Sequence, residues 1–368
     1  HQLGGDRPDL VLVFLTSHFE DEAEEIVTTL VRRYPSAVLL GVSAESVIGP
    51  DCEYERIPAV ALWVAHLPGV GLRPFAIPPE VFATAGTAEE WIELVGVPTE
   101  VPAGFLFFAD PYSTPVTTAL ARFNDAYPNR PVLGGMASGC DRPEQAALIL
   151  DDQVHRAGAV GVALSGPIEV RAVVSQGCRP IGRPLVITHC ERNIIQALGG
   201  MPAMHRLREV LDSLTPEDRA LARQALFVGR VINEYQESFS RGDFLIRSLL
   251  GVDAGSGAIA VGDAMRVGAT VQFHVRDAVS ADQDLRQMLS AVCHEATPAG
   301  ALVFSCNGRG TRMWDEPHHD IRVLREICGA PPAAGFFAAG EIGPIGGKNF
   351  VHGHTASIAL FRPIADEV

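Results

Sequence analysis

Three times along the 368-residue chain the same order of segments recurs. An apolar strand-like run is followed by a helix-patterned segment, a second apolar run and a break into small residues. The first copy reads Leu10–Thr16, Glu20–Tyr34 and Ala37–Val42, breaking over Gly41–Ala44. Its middle segment carries Ala23, Ile26, Val27, Leu30 and Val31 at helical spacing. The second reads Gly104–Asp110, Pro115–Ala126 and Pro131–Gly135, breaking over Gly134–Gly139. The third reads Ala301–Ser305, Asp320–Cys328 and Ala334–Ala339, breaking over Gly340–Gly343. One or two further strands follow each copy: Ala59–His66 with Val70–Phe75, Gly158–Leu164 with Ile168–Gln176, and Thr355–Phe361. A repeated supersecondary unit restricts architecture more than any single strand does. The fold class it predicts is α+β, with repeated strand–helix–strand–hairpin units forming mixed sheets and helices on their outer faces. Right-handed crossovers bring the strand ends of a copy to one rim. The three breaks are therefore expected to line one or two clefts.

A different region separates copies two and three. Glu191–Leu198, Ala203–Leu211 and Thr215–Phe227 read as helices, the last opened by a capping threonine, a proline and two acids. Phe244–Leu250 and Thr270–Arg276 read as strands, and Ala281–Ala291 as a helix. This places a boundary near Gly199–Leu214, between an N-terminal domain over 8–205 and a C-terminal domain over 206–368. The formal charge of −15 argues against a nucleic-acid surface, which needs basic residues to neutralise phosphates. No run approaches the ~20 apolar residues of a membrane span. Seven cysteines, an odd number with no Cys-x-x-Cys pair, read as reduced thiols of a cytoplasmic protein rather than as a disulfide framework or zinc knuckle.

Chemistry concentrates where the third copy breaks. Gly300–Gly310 ends Ser305-Cys306-Asn307-Gly308-Arg309-Gly310, and Ala334–Gly343 ends Gly340-Glu341-Ile342-Gly343. Arg309 carries a planar fork suited to a carboxylate or phosphate. Glu341 sits at the equivalent point of the other strand. The two read either as a structural ion pair or as a ligand site, with Arg309 gripping an anionic group and Glu341 orienting Arg309 or receiving an amine. In the second reading Asn307 and the backbone N–H groups of Gly308 and Gly310 supply hydrogen bonds, and Gly340 lets backbone approach the ligand. Cys306 beside Arg309, and Cys178 beside Arg179, are candidate reactive thiols or inert core residues. Arg179 is a candidate second arm of a shared anion site.

His352 and His354 would share a face if their segment were a strand, a spacing open to a metal or haem and equally to an ordinary surface strand. His189-Cys190 offers a possible axial pair for haem, without a Cys-x-x-Cys-His attachment. His318-His319-Asp320 reads as a solvated helix start. No catalytic residue and no metal ligand set stands out, and the cofactor is unknown.

These residues resemble the FIST family, in which a FIST N-terminal domain precedes a FIST C-terminal domain. The likeness rests on Leu40-Gly41-Val42-Ser43, Pro68-Gly69-Val70 ahead of Pro74-Phe75, and Ser175–Gly182. In the second half it rests on Gly242–Arg247, Ser305–Gly310, Ala334-Gly335-Phe336-Phe337 and Gly340–Pro344. The resemblance implies a ligand-binding sensory module of signal transduction, with small molecules such as amino acids as ligands. It also implies haem-based gas sensing in some bacterial members and ubiquitin-ligase adaptors in eukaryotic ones. With no kinase, F-box or cyclase segment visible, output is expected through a separate signalling protein.

Overall fold

The computed structural model describes residues 7–239 and 241–364. Two compact units divide it, one from residues up to Val174 together with those from Leu285 onward, the other over Ser175–Asp284. In chain order, copy one comprises β1 (Leu10–Thr16), α1 (Ala23–Arg33), β2 (Val38–Ala44), β3 (Ser46–Ile48), β4 (Glu53–Glu55), β5 (Val60–Ala65) and β6 (Gly71–Ile77). Helices α2 (Val81–Thr84) and α3 (Ala88–Val95) follow, the latter opened by a Thr87–Glu90 capping box. Copy two comprises β7 (Pro102–Ala109), α4 (Val116–Ala126), β8 (Val132–Met136), β9 (Leu148–Leu150), β10 (Gln153–His155), β11 (Ala159–Ser165) and β12 (Ile168–Gln176).

The intervening elements are β13 (Cys178–Glu191), β14 (Ile194–Leu198), β15 (Met201–Pro202), α5 (Ala203–Ser213), α6 (Pro216–Gln224), β16 (Leu226–Val231), β17 (Phe244–Asp253), β18 (Ala258–Val261), β19 (Thr270–Arg276) and α7 (Ala278–Cys293). Copy three comprises β20 (Gly300–Cys306), α8 (His319–Cys328), β21 (Ala333–Ala338), β22 (Glu341–Ile345), β23 (Lys348–His352) and β24 (Thr355–Pro363).

The three copies obey one pairing rule. The first strand of each lies parallel to the second: β1 with β2, β7 with β8, β20 with β21. It lies antiparallel to the strand after the hairpin: β1 with β5, β7 with β11, β20 with β24. The hairpin itself is given to another copy. β3–β4 extends the third copy's sheet through β21, β9–β10 the first copy's through β2, and β22–β23 the second copy's through β8. The exchange is cyclic, so no copy completes its sheet alone. Sequence patterning missed the β3–β4 and β9–β10 hairpins because their strands have three residues each, too few for a period to register.

Side-chain alternation explains how the three sheets share a core. Phe14, Phe108 and Phe304 point inward from β1, β7 and β20, each 0% exposed. Ring centroids lie 5.8 Å apart for Phe14–Phe108 and 5.9 Å for Phe108–Phe304, and Phe336 of β21 touches all three. The opposite faces carry helices: α1 on the first sheet, α3 and α4 on the second, and α8 with the second half of α7 on the third. Each second strand has a glycine facing the residue before its copy's inward phenylalanine. At Gly134 and Gly335 an added Cβ would fall 2.0 and 1.8 Å from the carbonyl oxygens of Phe107 and Val303, so only glycine permits that approach.

The second unit is built on one seven-stranded sheet in the order β13-β19-β16-β17-β18-β14-β15, and β13 also pairs with β14. Two sequence expectations change here. Glu191–Leu198 is not a helix: Ile194–Leu198 is a strand between β13 and β18, where β-branched Ile194 and Ile195 fit a pleated surface. The helix expected over Thr215–Phe227 ends at Gln224, and Leu226 starts β16.

A third correction concerns the cysteines. Cys293, at the end of α7, and Cys328, at the end of α8, form a disulfide across a sequence separation of 35 residues. Helix packing brings the two together, and nothing in their spacing announces it. Cys52, Cys140, Cys190 and Cys306 carry free thiols. Among the described residues no helix is long and apolar enough to cross a membrane.

Candidate functional site

β20 ends at Cys306 and the chain turns through Asn307 and Gly308 to Arg309, whose N–H donates to the Cys306 carbonyl at 2.8 Å. That turn directs the guanidinium inward, where it is 1% exposed. Asp320, in the first turn of α8, receives it bidentately: Nε to Oδ2 and Nη2 to Oδ1, both 2.7 Å. Ser305 Oγ donates to the same carboxylate at 2.6 Å. Burial opposes ionisation of Asp320, but the adjacent Arg309 outweighs it and holds the carboxyl below its ordinary range.

The guanidinium lies 4.7 Å over the Trp314 ring, which stacks at 3.6 Å on His319. Glu53 of β4 accepts from the Asp320 and Ile321 N–H groups through Oε1, capping α8 from another copy's hairpin. His318 Nδ1 in turn accepts from the Glu53 N–H. The His318-His319-Asp320 stretch is thus a built-in support for Arg309 and not the solvated helix start expected.

Glu341 opens β22, paired with Gly135 of β8 and His352 of β23. It is wholly buried. Oε2 accepts from the Thr355 N–H at 3.0 Å and from the Thr355 hydroxyl. Burial pushes its carboxyl up to about 7, with Thr355 and the nearby Arg309 charge acting in the opposite direction. Cys306 lies between the two charges. Burial and then the Glu341 carboxylate push its thiol up, which argues against a thiolate nucleophile.

The Cys306 thiol also hydrogen-bonds with the Glu341 carboxyl; among the described residues the buried atoms Arg309 Nη1, Glu341 Oε1 and Asn307 Oδ1 have no nitrogen or oxygen partner. Buried polar groups are nearly always paired, so three orphans around one thiol are unusual. Asn307 and Gly308 are half-buried and form the outer side of the cluster.

The glycines have mainly structural reasons. Gly310 has φ +60° and packs against the Glu55 carboxylate, and a Cβ on Gly340 would lie 2.5 Å from Met136. Gly308 donates its N–H to Cys306 Sγ at 3.4 Å. Arg179 belongs to the second unit, where Asp277 and Asp218 engage it. His352 ends β23 with Nε2 2.9 Å from the Gly343 carbonyl, while His354 has φ +63° in the turn beyond, so the pair does not share a strand face. No group of three or more potential metal ligands occurs among the described residues. Sequence reasoning found Arg309, Glu341 and Cys306 but missed Asp320, Thr355 and Glu53. Asp320 alone left a signal, as an acid in a helix's first turn.

The FIST N domain matches residues 9–201 and the FIST C domain residues 203–344. An uncharacterized protein of Mycobacterium tuberculosis strain H37Rv is 40% identical over 364 residues, covering 98% of this chain and 93% of the relative. An uncharacterized protein of Mycobacterium bovis is 39% identical over 364 residues, covering 98% and 92%. On both grounds the chain belongs to the FIST family, whose domains are associated with signal-transduction sensing.

Proposed function

We propose that this protein is a small-molecule-binding sensory module of intracellular signal transduction, whose ligand is an amino acid or other small anion docked at Arg309 and Glu341. The observation that carries the reading is a pair of buried atoms with no nitrogen or oxygen partner, Arg309 Nη1 as donor and Glu341 Oε1 as acceptor, the Cys306 thiol being the only further group that hydrogen-bonds with Glu341 among the described residues besides Thr355. Leaving each unpaired costs ~1–3 kcal/mol. A zwitterion brings a carboxylate to the first and an ammonium to the second, satisfying both without adding net charge to a buried place. Asn307 and Gly308, being half-buried, lie on the side from which a ligand enters. Asp320 fixes the Arg309 fork beforehand, so binding orders little. Occupancy ties β20, β22 and the start of β24 together, and a partner protein reads that change.

Equilibrium dialysis against a panel of amino acids and small carboxylates tests the reading. One or more members bind the wild-type protein, and Glu341→Gln weakens the amino acids at least tenfold. No binding by any member, or binding indifferent to Glu341→Gln and Arg309→Lys, removes it.

A further inference from the structure

A second place in the first unit carries its own buried carboxylate oxygen without a hydrogen-bond partner among the described residues. A cavity of about 500 Å³ opens at the carboxyl end of β1, walled by the turn into α1 and by the segment between β8 and β9. Crevices at the carboxyl ends of parallel strands are recurrent ligand sites in sheets of this kind. Its lining is polar, with Pro143 the sole apolar side chain. At its floor Glu20 is 7% exposed, and Oε1 has no hydrogen-bond partner among the described residues. Burial raises the pKa of this carboxyl, while side-chain hydrogen bonds from Gln145 and Ser43 and the Arg156 charge act in the opposite direction, leaving Oε1 as the oxygen still to be filled.

Arg156 is already committed. It donates to Glu24 at 2.7 Å, to the Glu20 carbonyl at 3.0 Å and to the Gln145 carbonyl at 3.3 Å. Asp21 and Glu144 line the exposed rim, facing Arg142. With Arg156 held by Glu24, the remaining lining carries three acids against one arginine.

We propose that this cavity is a binding site for a small hydrophilic amine, one ammonium of which docks on Glu20 Oε1. An ammonium supplies the donor that Glu20 Oε1 lacks, in a charge-assisted hydrogen bond. Asp21 and Glu144 at the mouth suit a second ammonium a few bonds away, so a short diamine fits better than a monoamine. The polar lining selects against apolar chains.

Isothermal titration calorimetry with 1,4-diaminobutane tests this, with 1,4-butanediol as its neutral counterpart and calcium chloride as a competing cation. The diamine binds the wild-type protein, the diol does not, and Glu20→Gln weakens the diamine at least tenfold. The rim variant Asp21→Asn/Glu144→Asn, whose changes are at exposed positions, weakens the diamine severalfold and methylamine less. No diamine binding, equal binding by the diol, binding of calcium alone, or diamine binding untouched by both variants overturns it.

Discussion

Arg309 and Asp320 form a bidentate ion pair with both side chains 1% exposed, held between the end of β20 and the start of α8. Such a pair is weak evidence of net stabilisation, because desolvating two charges costs about as much as their attraction returns. Its value here is positional. With Nε and Nη2 fixed on Asp320, Nη1 is left without a hydrogen-bond partner among the described residues. Removing one partner strands the other: Asp320→Ala lowers stability by ~3–5 kcal/mol. The double replacement Arg309→Met/Asp320→Leu recovers most of that loss. Thermal unfolding of the three proteins checks both statements.

Acid stabilises this site, contrary to the usual carboxylate. The Glu341 carboxyl lies at about 7 in the folded protein against an ordinary 4.5. Between those values the folded chain holds a proton that the unfolded chain has released. Its contribution is complete below the unfolded value and is lost as pH rises through the folded one, a change on the order of 3 kcal/mol. Glu53, raised to about 8 by burial and by Asp320, adds to the same slope. Melting temperature across pH 5–8 therefore falls less steeply in Glu341→Gln than in the wild-type protein, and Glu341→Gln gains stability at pH 8. A wild-type melting temperature that rises across that range contradicts the assignment.

Thiol reactivity separates the cysteines. Cys178 and Cys306 are buried, whereas Cys52, Cys140 and Cys190 are half-buried. Iodoacetamide on the native protein at pH 8, read by mass spectrometry, modifies Cys190 and Cys52 before Cys140, whose thiol burial pushes up to about 11. Cys306 reacts only after unfolding. Rapid native labelling of Cys306 would return the enzyme reading to consideration.

The Cys293–Cys328 bridge closes a loop of 35 residues that includes β20 and the whole Arg309 turn. In the chain-entropy account a loop of that length is worth ~4 kcal/mol. Reduction, or Cys293→Ser/Cys328→Ser, lowers the melting temperature accordingly. An unchanged melting temperature on reduction argues that the thiols are not bridged.

The repeat was legible because its elements are long enough to carry a period. β1, β7 and β20 are continuous apolar runs, and α1 and α4 show helical spacing. The cyclic exchange of hairpins was not legible, since partner choice depends on which copy's second strand leaves an open edge. At the site, Arg309 and Glu341 announced themselves as charges among small apolar residues. Asp320 showed only as an acid in a helix's first turn, and Thr355 and Glu53 did not show at all, because the three come from α8, β24 and another copy's hairpin, and only the assembled sheets bring them to Arg309 and Glu341. Ile194 and Ile195 mark the other limit: a short apolar run reads as helix or strand until its neighbours are known.

Arg309 Nη1 and Glu341 Oε1 are proposed as the two ends of a ligand site. A crystal structure of the protein grown with the tightest-binding panel member tests it most directly. The account predicts ligand density bridging those two atoms within hydrogen-bond distance of each. Ligand seated elsewhere, with both atoms bonded only to ordered water, would contradict it.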